Sequence, residues 1–265
     1  MGLYQNRIVV KVGTSTLTNE LGKSDLRSFD RLACVLSDIQ NMGYEVILVS
    51  SGAIAVGMNK FGWKTRPAGM KQKQAAAAVG QCSMMFLYDK FFGDYDKTIG
   101  QILLNAEDIR QEEKRENLTN TFNALLEMGI IPIVNENDSV SYTEIESEER
   151  LFGDNDRLSA VVAVLCSAGR LVILSDIDGL FEADPRLYPH AKKISRIETI
   201  DESVYALAGG AGSRRGTGGM RTKLQAAELA TSQGTETIIT NGKHPEALYE
   251  IVNGKAVGTL FAGKK

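Results

Sequence analysis

Along the chain, short and nearly continuous apolar runs alternate with longer segments in which apolar residues recur every three to four positions. Arg7 to Val12, Glu45 to Val49, Thr98 to Leu103, Ile130 to Val134, Leu171 to Leu174 and Thr237 to Ile239 are rich in Val, Ile and Leu, with little polar alternation. Strands covered on both faces read this way. Asp25 to Asn41, Lys71 to Phe92, Arg115 to Met128, Asp156 to Cys166 and Met220 to Gln233 carry the helical period, and Gly43, Gly129 and Gly234 stand where three of these helices should stop. The alternation predicts an α/β fold: an open, mostly parallel sheet between helical layers. No Pro/Ser-rich linker and no repeat of fixed period divides residues 1–265, so a single domain is expected.

Composition narrows the partners. Thirty Lys+Arg against 33 Asp+Glu leave a net charge of -3, which supplies no basic field for nucleic acid. Charge, Gly or Pro interrupts every apolar stretch before the ~20 residues a membrane helix needs. The N-terminal apolar run is also too short, and too soon followed by Lys11, for a secretory signal; a cytoplasmic location is expected. Cys34, Cys82 and Cys166 are far apart in apolar helical stretches and read as buried free thiols. His190 and His244, each beside a proline, offer no material for a histidine-based metal site or a Ser-His-Asp triad. No metal-ligating residues are expected.

The chemistry concentrates where predicted strands end. Val9-Val-Lys-Val-Gly-Thr-Ser-Thr16, Val49-Ser-Ser-Gly-Ala-Ile-Ala-Val-Gly57 and Gly216-Thr-Gly-Gly-Met-Arg-Thr-Lys223 each place glycine between a strand and a helix, where backbone N–H groups favour an anion. A glycine turn alone is more often a simple connection. Three in one α/β chain, two with a lysine, point to phosphate, because lysine brings a compact charge that can follow a moving phosphoryl group. Neither G-x-x-x-x-G-K-[ST] nor G-x-G-x-x-G is present. Polar residues follow the apolar strands at Asn135-Glu-Asn-Asp138, Gly153-Asp-Asn-Asp156, Ser175-Asp-Ile-Asp-Gly179 and Ala183-Asp-Pro-Arg186. In open parallel sheets, ligands bind beyond such carboxyl ends. Helix capping is the plainer alternative for Asp154 or Asn155, and the acidic cluster Glu144 to Arg150 reads as a solvated loop.

In this order, Val9-Val-Lys-Val-Gly-Thr-Ser, Ser50-Ser-Gly-Ala-Ile and the motifs just quoted, through Gly216 to Lys223, resemble the glutamate-phosphorylating branch of the amino acid kinase family, from about Asn6 to Phe261. The resemblance implies transfer of phosphate from ATP, with Mg2+, to the side-chain carboxylate of L-glutamate, the first step toward proline. It implies Lys11 and Lys223 as stabilisers of the transferring group and Asp156 as the residue that holds them. Ser51, Asp138 and Asn155 would contact glutamate. Lys11, Ser175, Asp176 and the run Thr217, Gly218, Gly219, Met220, Arg221, Thr222 and Lys223 would line the ATP site. A homo-oligomer and feedback by proline are also implied. Many members continue into a C-terminal PUA domain, an RNA-binding type of module, which the sequence ending at Lys265 does not include; the segment Ser141 to Phe152 runs longer than in the shortest members.

The residue chemistry agrees with that reading. A γ-carboxylate with a pKa of ~4.3 is already ionised at neutral pH and needs no general base, which suits a chain poor in histidine. What it needs is neutralisation of charge on the phosphoryl oxygens. Acetylglutamate, aspartate and UMP kinases are the enzymatic rivals, and pairing Asn135-Glu-Asn-Asp with Gly153-Asp-Asn-Asp disfavours them. A catalytically silent amino-acid sensor would not need Lys11, Asp156 and Lys223 together, and a nicotinamide dehydrogenase lacks its glycine fingerprint.

Overall fold

The structure, a computed structural model, describes residues 2–19, 22–140, 155–185, 187–208 and 219–264. Its first half runs β1 (Tyr4–Val12), α1 (Thr14–Leu17), α2 (Leu26–Asn41), β2 (Glu45–Val49), α3 (Ala53–Lys60), α4 (Met70–Gly93), β3 (Ile99–Leu104), α5 (Ala106–Arg110), α6 (Glu112–Glu127) and β4 (Ile131–Glu136). Then follow α7 (Asn155–Leu165), β5 (Ala168–Ser175), β6 (Arg196–Ile197), α8 (Glu202–Leu207), α9 (Met220–Ser232), β7 (Glu236–Asn241), α10 (Ala247–Val252) and β8 (Thr259–Phe261). Among the described residues the strands form an eight-stranded sheet in the order β3-β4-β2-β1-β5-β7-β8-β6. Every neighbouring pair is parallel except β7 and β8.

The expected parallel α/β sheet is therefore present, and each expected strand and helix overlaps an observed one, with ends that differ by up to three residues. The short β6 and β8 and the short helices α1, α3, α5, α8 and α10 were not expected. Two to eight residues are too few to display a helical or strand period against their flanks.

Period-two alternation in the central strand explains both helical layers. Ile8, Val10 and Val12 point into a core with Phe29 and Leu36 of α2, Met84 and Phe92 of α4 and Leu248 of α10. Val9 points the other way, into a core with Phe122 of α6, Leu158 and Val162 of α7 and Leu224 of α9. Gly43, Gly129 and Gly234 follow α2, α6 and α9 with φ of 92°, 72° and 88°, as expected of helix stops.

Close backbone contact joins α3 to α4. A Cβ on Gly57 would sit 1.8 Å from the Ala76 carbonyl oxygen, and one on Gly80 would sit 1.7 Å from that of Ala53. Only glycine permits this approach, and it fixes α4 against α3. The outward face of α4 overturns one expectation: Cys82 is exposed and Cys34 half-buried, leaving Cys166 as the buried thiol. Helix α4 is apolar on both sides, with Val79 37% and Phe86 68% exposed, so an apolar setting did not imply burial at Cys82. No helix among the described residues is long and apolar enough to cross a membrane.

The chain passes from β1 to β2 on one side and places β5 on the other. The carboxyl end of β1 is thus the point at which the winding reverses, where open α/β sheets form their crevice.

Candidate active site

Lys11 occupies the last full turn of the β1 pleat, in register with Val49 of β2 and Ile173 of β5. Its parity with Val9 aims it at the α7 and α9 layer. There its Nζ lies 2.6 Å from Oδ1 of Asp156, the second residue of α7. From the first turn of α9, Lys223 Nζ approaches the other carboxylate oxygen to 3.0 Å. The Thr222 hydroxyl lies 3.1 Å from the same oxygen and 3.0 Å from the Gly219 carbonyl. Lys11 and Lys223 are each 7% exposed and Asp156 is 1% exposed. Burial alone would raise the Asp156 pKa, but the two ammonium groups outweigh it and hold the carboxyl at about 2. One anion thus serves two buried cations. The trio carries a net positive charge, and such a cluster can stabilise an anion whose charge grows during reaction.

A neutral network lies beside it. The β2 strand ends in Ser50 and Ser51, and Gly52 then takes a left-handed φ of 103° to start α3, with a Cβ there falling 3.3 Å from the Thr14 side chain. Asn155, the residue before Asp156, sends its amide nitrogen to the Ser50 carbonyl at 2.8 Å, the Ser51 hydroxyl at 2.9 Å and Asn135 Oδ1 at 3.0 Å. It therefore bridges the ends of β2 and β4 rather than only capping its own helix. The Ser50 carbonyl can only accept, so the orientation of the Asn155 amide is fixed. Its nitrogen is engaged by protein, and among the described residues its carbonyl oxygen remains as the group available to a ligand. Ser51 accepts this bond and keeps its own hydroxyl proton to donate.

Asp138 stands half-buried just beyond β4, where burial raises its pKa and the Arg66 charge opposes the rise. It shares the β4 end with Asn135 but forms no hydrogen bond with Ser51 or Asn155. On the opposite side of β1, Ser175 ends β5 beside Asn241 of β7, and its hydroxyl donates to Asp176 at 3.2 Å. Gly219 caps α9, and Met220, Arg221, Thr222 and Lys223 form its first turn. Arg221 turns aside, with its guanidinium 5.8 Å from the centre of the Tyr205 ring. Thr217 and Gly218, like Gly153, Asp154 and the segment 141–152, lie outside the described residues.

These features fit a chain whose match to the amino acid kinase family spans residues 6–241. The chain belongs to the amino acid kinase family. A protein from Clostridium perfringens (strain 13 / Type A) named glutamate 5-kinase is 52% identical over 259 residues, which cover 98% of this chain and 96% of that one. One of the same name from Listeria monocytogenes serovar 1/2a is 50% identical over 259 residues, covering 98% and 94%. Among solved structures, a carbamate kinase from Giardia lamblia bound to AMP-PNP superposes with a TM-score of 0.69 at 16% identity, covering 98% of both chains. A UMP kinase from Bacillus anthracis gives 0.66 at 15% identity, covering 98% of this chain and 97% of that one. These two likenesses establish the fold.

In this amino acid kinase the structure gathers Lys11, Asp156 and Lys223 into one cluster and Ser51 and Asn155 into another. Consecutive residues of α7 connect the two. Sequence reasoning assigned Thr222 to the nucleotide side only, whereas its hydroxyl reaches Asp156. It also passed over Asn135 as a site residue, Ser50, and Gln81 and Tyr88 of α4, which bond to them. Asn135 and Ser50 stood within quoted motifs, the available signal. Gln81 and Tyr88 sit in a helix whose apolar composition gave no reason to single them out.

Among the described residues no group of three or more His, Cys, Asp and Glu could hold a metal ion. Asp156, the buried acid nearest the lysines, is already committed to them.

Proposed function

We propose that this chain transfers the γ-phosphoryl group of ATP to the γ-carboxylate of L-glutamate, giving γ-glutamyl phosphate and ADP. The observation that carries the reading is the buried Lys11-Asp156-Lys223 cluster, contiguous through Asn155 with a polar site at the ends of β2 and β4. Asn155 Oδ1 and the Asp138 carboxylate accept from the α-ammonium group, and the Ser51 hydroxyl donates to a carboxylate. The ionised γ-carboxylate attacks phosphorus as the bond to the β,γ-bridging oxygen breaks. No proton need leave the nucleophile.

Lys11 and Lys223 place two ammonium groups against the phosphoryl oxygens and the leaving group, where charge develops. Asp156 keeps both preorganised while leaving the cluster net positive. Ser175, Asp176 and the Thr217 to Lys223 segment serve ATP, and Mg2+ neutralises phosphate charge when it accompanies the nucleotide. We propose further that proline, which keeps an ammonium group and an α-carboxylate, competes for the Asp138 side. The reaction then stands first on a cytoplasmic route from glutamate to proline. A homo-oligomer is proposed with it, supported by the apolar outer face of α4 at Val79, Cys82 and Phe86.

The test is an ATP-dependent assay over glutamate, acetylglutamate, aspartate and UMP, with hydroxylamine trapping any acyl phosphate. Glutamate alone should yield a hydroxamate at high rate. Preference for another acceptor would replace the reading, and glutamate binding without any phosphorylation would make the chain a sensor.

A further inference from the structure

We propose that Gln81, on the inner face of α4, is a positioning residue for the amino-acid substrate, acting through Asn135 on Asn155. The inference rests on the proposed glutamate site, but the hydrogen-bond logic behind it is independent of the substrate's identity. Asn135 is 1% exposed, so each pole of its amide needs a partner. Its Oδ1 accepts from the Glu136 backbone N–H at 2.9 Å and from Asn155 Nδ2 at 3.0 Å. A backbone N–H can only donate, so the polarity of this amide is settled and Nδ2 points away from Asn155. Gln81 Oε1, at 2.9 Å, is the acceptor that receives it. Asn155 in turn has two amide protons for three acceptors, a geometry that tolerates little displacement of any one of them.

Gln81 holds its place for reasons visible in the helix packing. Gly80 precedes it at the close approach to Ala53, and two turns later Tyr88 exchanges a 2.7 Å hydrogen bond with Ser50. Burial pushes the Tyr88 hydroxyl well above its ordinary pKa, although the Ser50 bond opposes the rise, so it remains neutral. One helix face thus braces both strand ends that Asn155 bridges: Ser50 of the β2 end through Tyr88, and Asn135 of the β4 end through Gln81. Loss of the Gln81 acceptor leaves a buried Asn135 N–H without a partner. Asn135 can then regain one only by turning, which withdraws Oδ1 from Asn155. The carbonyl that Asn155 offers to the substrate moves with it.

The test is a kinetic double-mutant cycle. Gln81→Met keeps length and removes the acceptor, and should raise KM for glutamate on the order of tenfold, as expected for one lost buried hydrogen bond, with KM for ATP unchanged. In an Asn155→Ala background the same substitution should have little further effect on KM for glutamate. Gln81→Asn carries the same group one methylene short and serves if the methionine variant fails to fold. An unchanged glutamate KM overturns the inference, as does an equal rise in the Asn155→Ala background, which would indicate direct contact, or a matching rise for ATP. If the unaltered chain phosphorylates no glutamate, the proposed function fails separately. The positioning claim is then decided by the Asn155 side-chain amide resonances without substrate, which should shift in Gln81→Met; an unshifted pair would overturn it.

Discussion

The two residues that open α7 face opposite kinds of chemistry. Asn155 sits in a neutral network of amides and hydroxyls with directional, fully specified poles, while Asp156 sits between two ammonium groups whose attraction is strong but weakly directional. Hydrogen-bonded amides discriminate shape, because one misplaced pole leaves a buried group unsatisfied. Buried charge acts over a longer range and rewards an oxyanion wherever it forms nearby. Substitutions on the charged side should therefore appear in turnover, and those on the neutral side in the Michaelis constant for the amino acid.

The largest effect that could break this division is at the lysines. Lys223→Ala should lower turnover a hundredfold or more, at ~3–4 kcal/mol for one lost preorganised charge, with little change in KM for glutamate. Lys11→Ala should behave alike. A variant with near-normal hydroxamate formation would remove that lysine from the catalytic set. A large rise in glutamate KM at constant turnover would erase the distinction between the two sides.

Asp156→Asn comes next and affects stability as well as rate. The amide leaves two nearly buried ammonium groups without their anion, a loss of about 3–5 kcal/mol where one partner of a buried pair is removed. Melting temperature and turnover should fall together, and Lys223→Ala added to Asp156→Asn should cost less than the sum of the two. Additive rates would show that the three do not act as a unit. The acid limb of stability sharpens the same point. With its carboxyl at about 2 in the folded chain against an ordinary 3.8, Asp156 contributes stability above the ordinary value that is lost as pH falls through about 2. That contribution is on the order of 2 kcal/mol and should be missing from Asp156→Asn. A melt series from neutral to acidic pH reads it directly.

The charged side was more legible in the sequence than the neutral one, for a physical reason. Lysine at the end of a β-branched strand and lysine in a glycine-led helix turn stand out against their neighbours, and a strand's period of two already sends Lys11 and Val9 to the same face. The fold was legible for a similar reason, since long helices and fully buried strands carry strong periods. The short strand β8, three residues running antiparallel to β7, does not. Neutral networks carry little sequence signal, because Gln81 contributes one acceptor across 54 positions and no local pattern announces it. The polarity of Asn155 was hidden for the same reason. A side-chain amide can offer either pole, and only the folded chain, with the Ser50 carbonyl and Asn135 occupying the nitrogen, leaves the oxygen toward a ligand.

The smallest effect belongs to Asp138, an anion beyond the end of β4, and its pH dependence can be signed. Burial raises the pKa of this carboxyl, with Arg66 opposing, so the folded chain holds the proton more tightly than the unfolded chain does. Its ionised form therefore weakens the fold as pH rises through the interval between the unfolded and folded values, and the penalty persists at neutral pH. Asp138→Asn should accordingly leave stability unchanged or slightly improved when no amino acid is bound. Bound glutamate should reverse the balance, because its α-ammonium group would place a cation beside the half-buried carboxylate. The same substitution should raise KM for glutamate severalfold while leaving that for ATP alone, and it should blunt any inhibition by proline. In the unaltered chain, glutamate affinity should weaken on acidification at a higher pH than an exposed aspartate would titrate, and the Asn variant should lose that inflection. Steady-state kinetics with each substrate varied in turn across this range decide the matter: an unchanged glutamate constant or a larger effect on ATP would place Asp138 outside the amino-acid site.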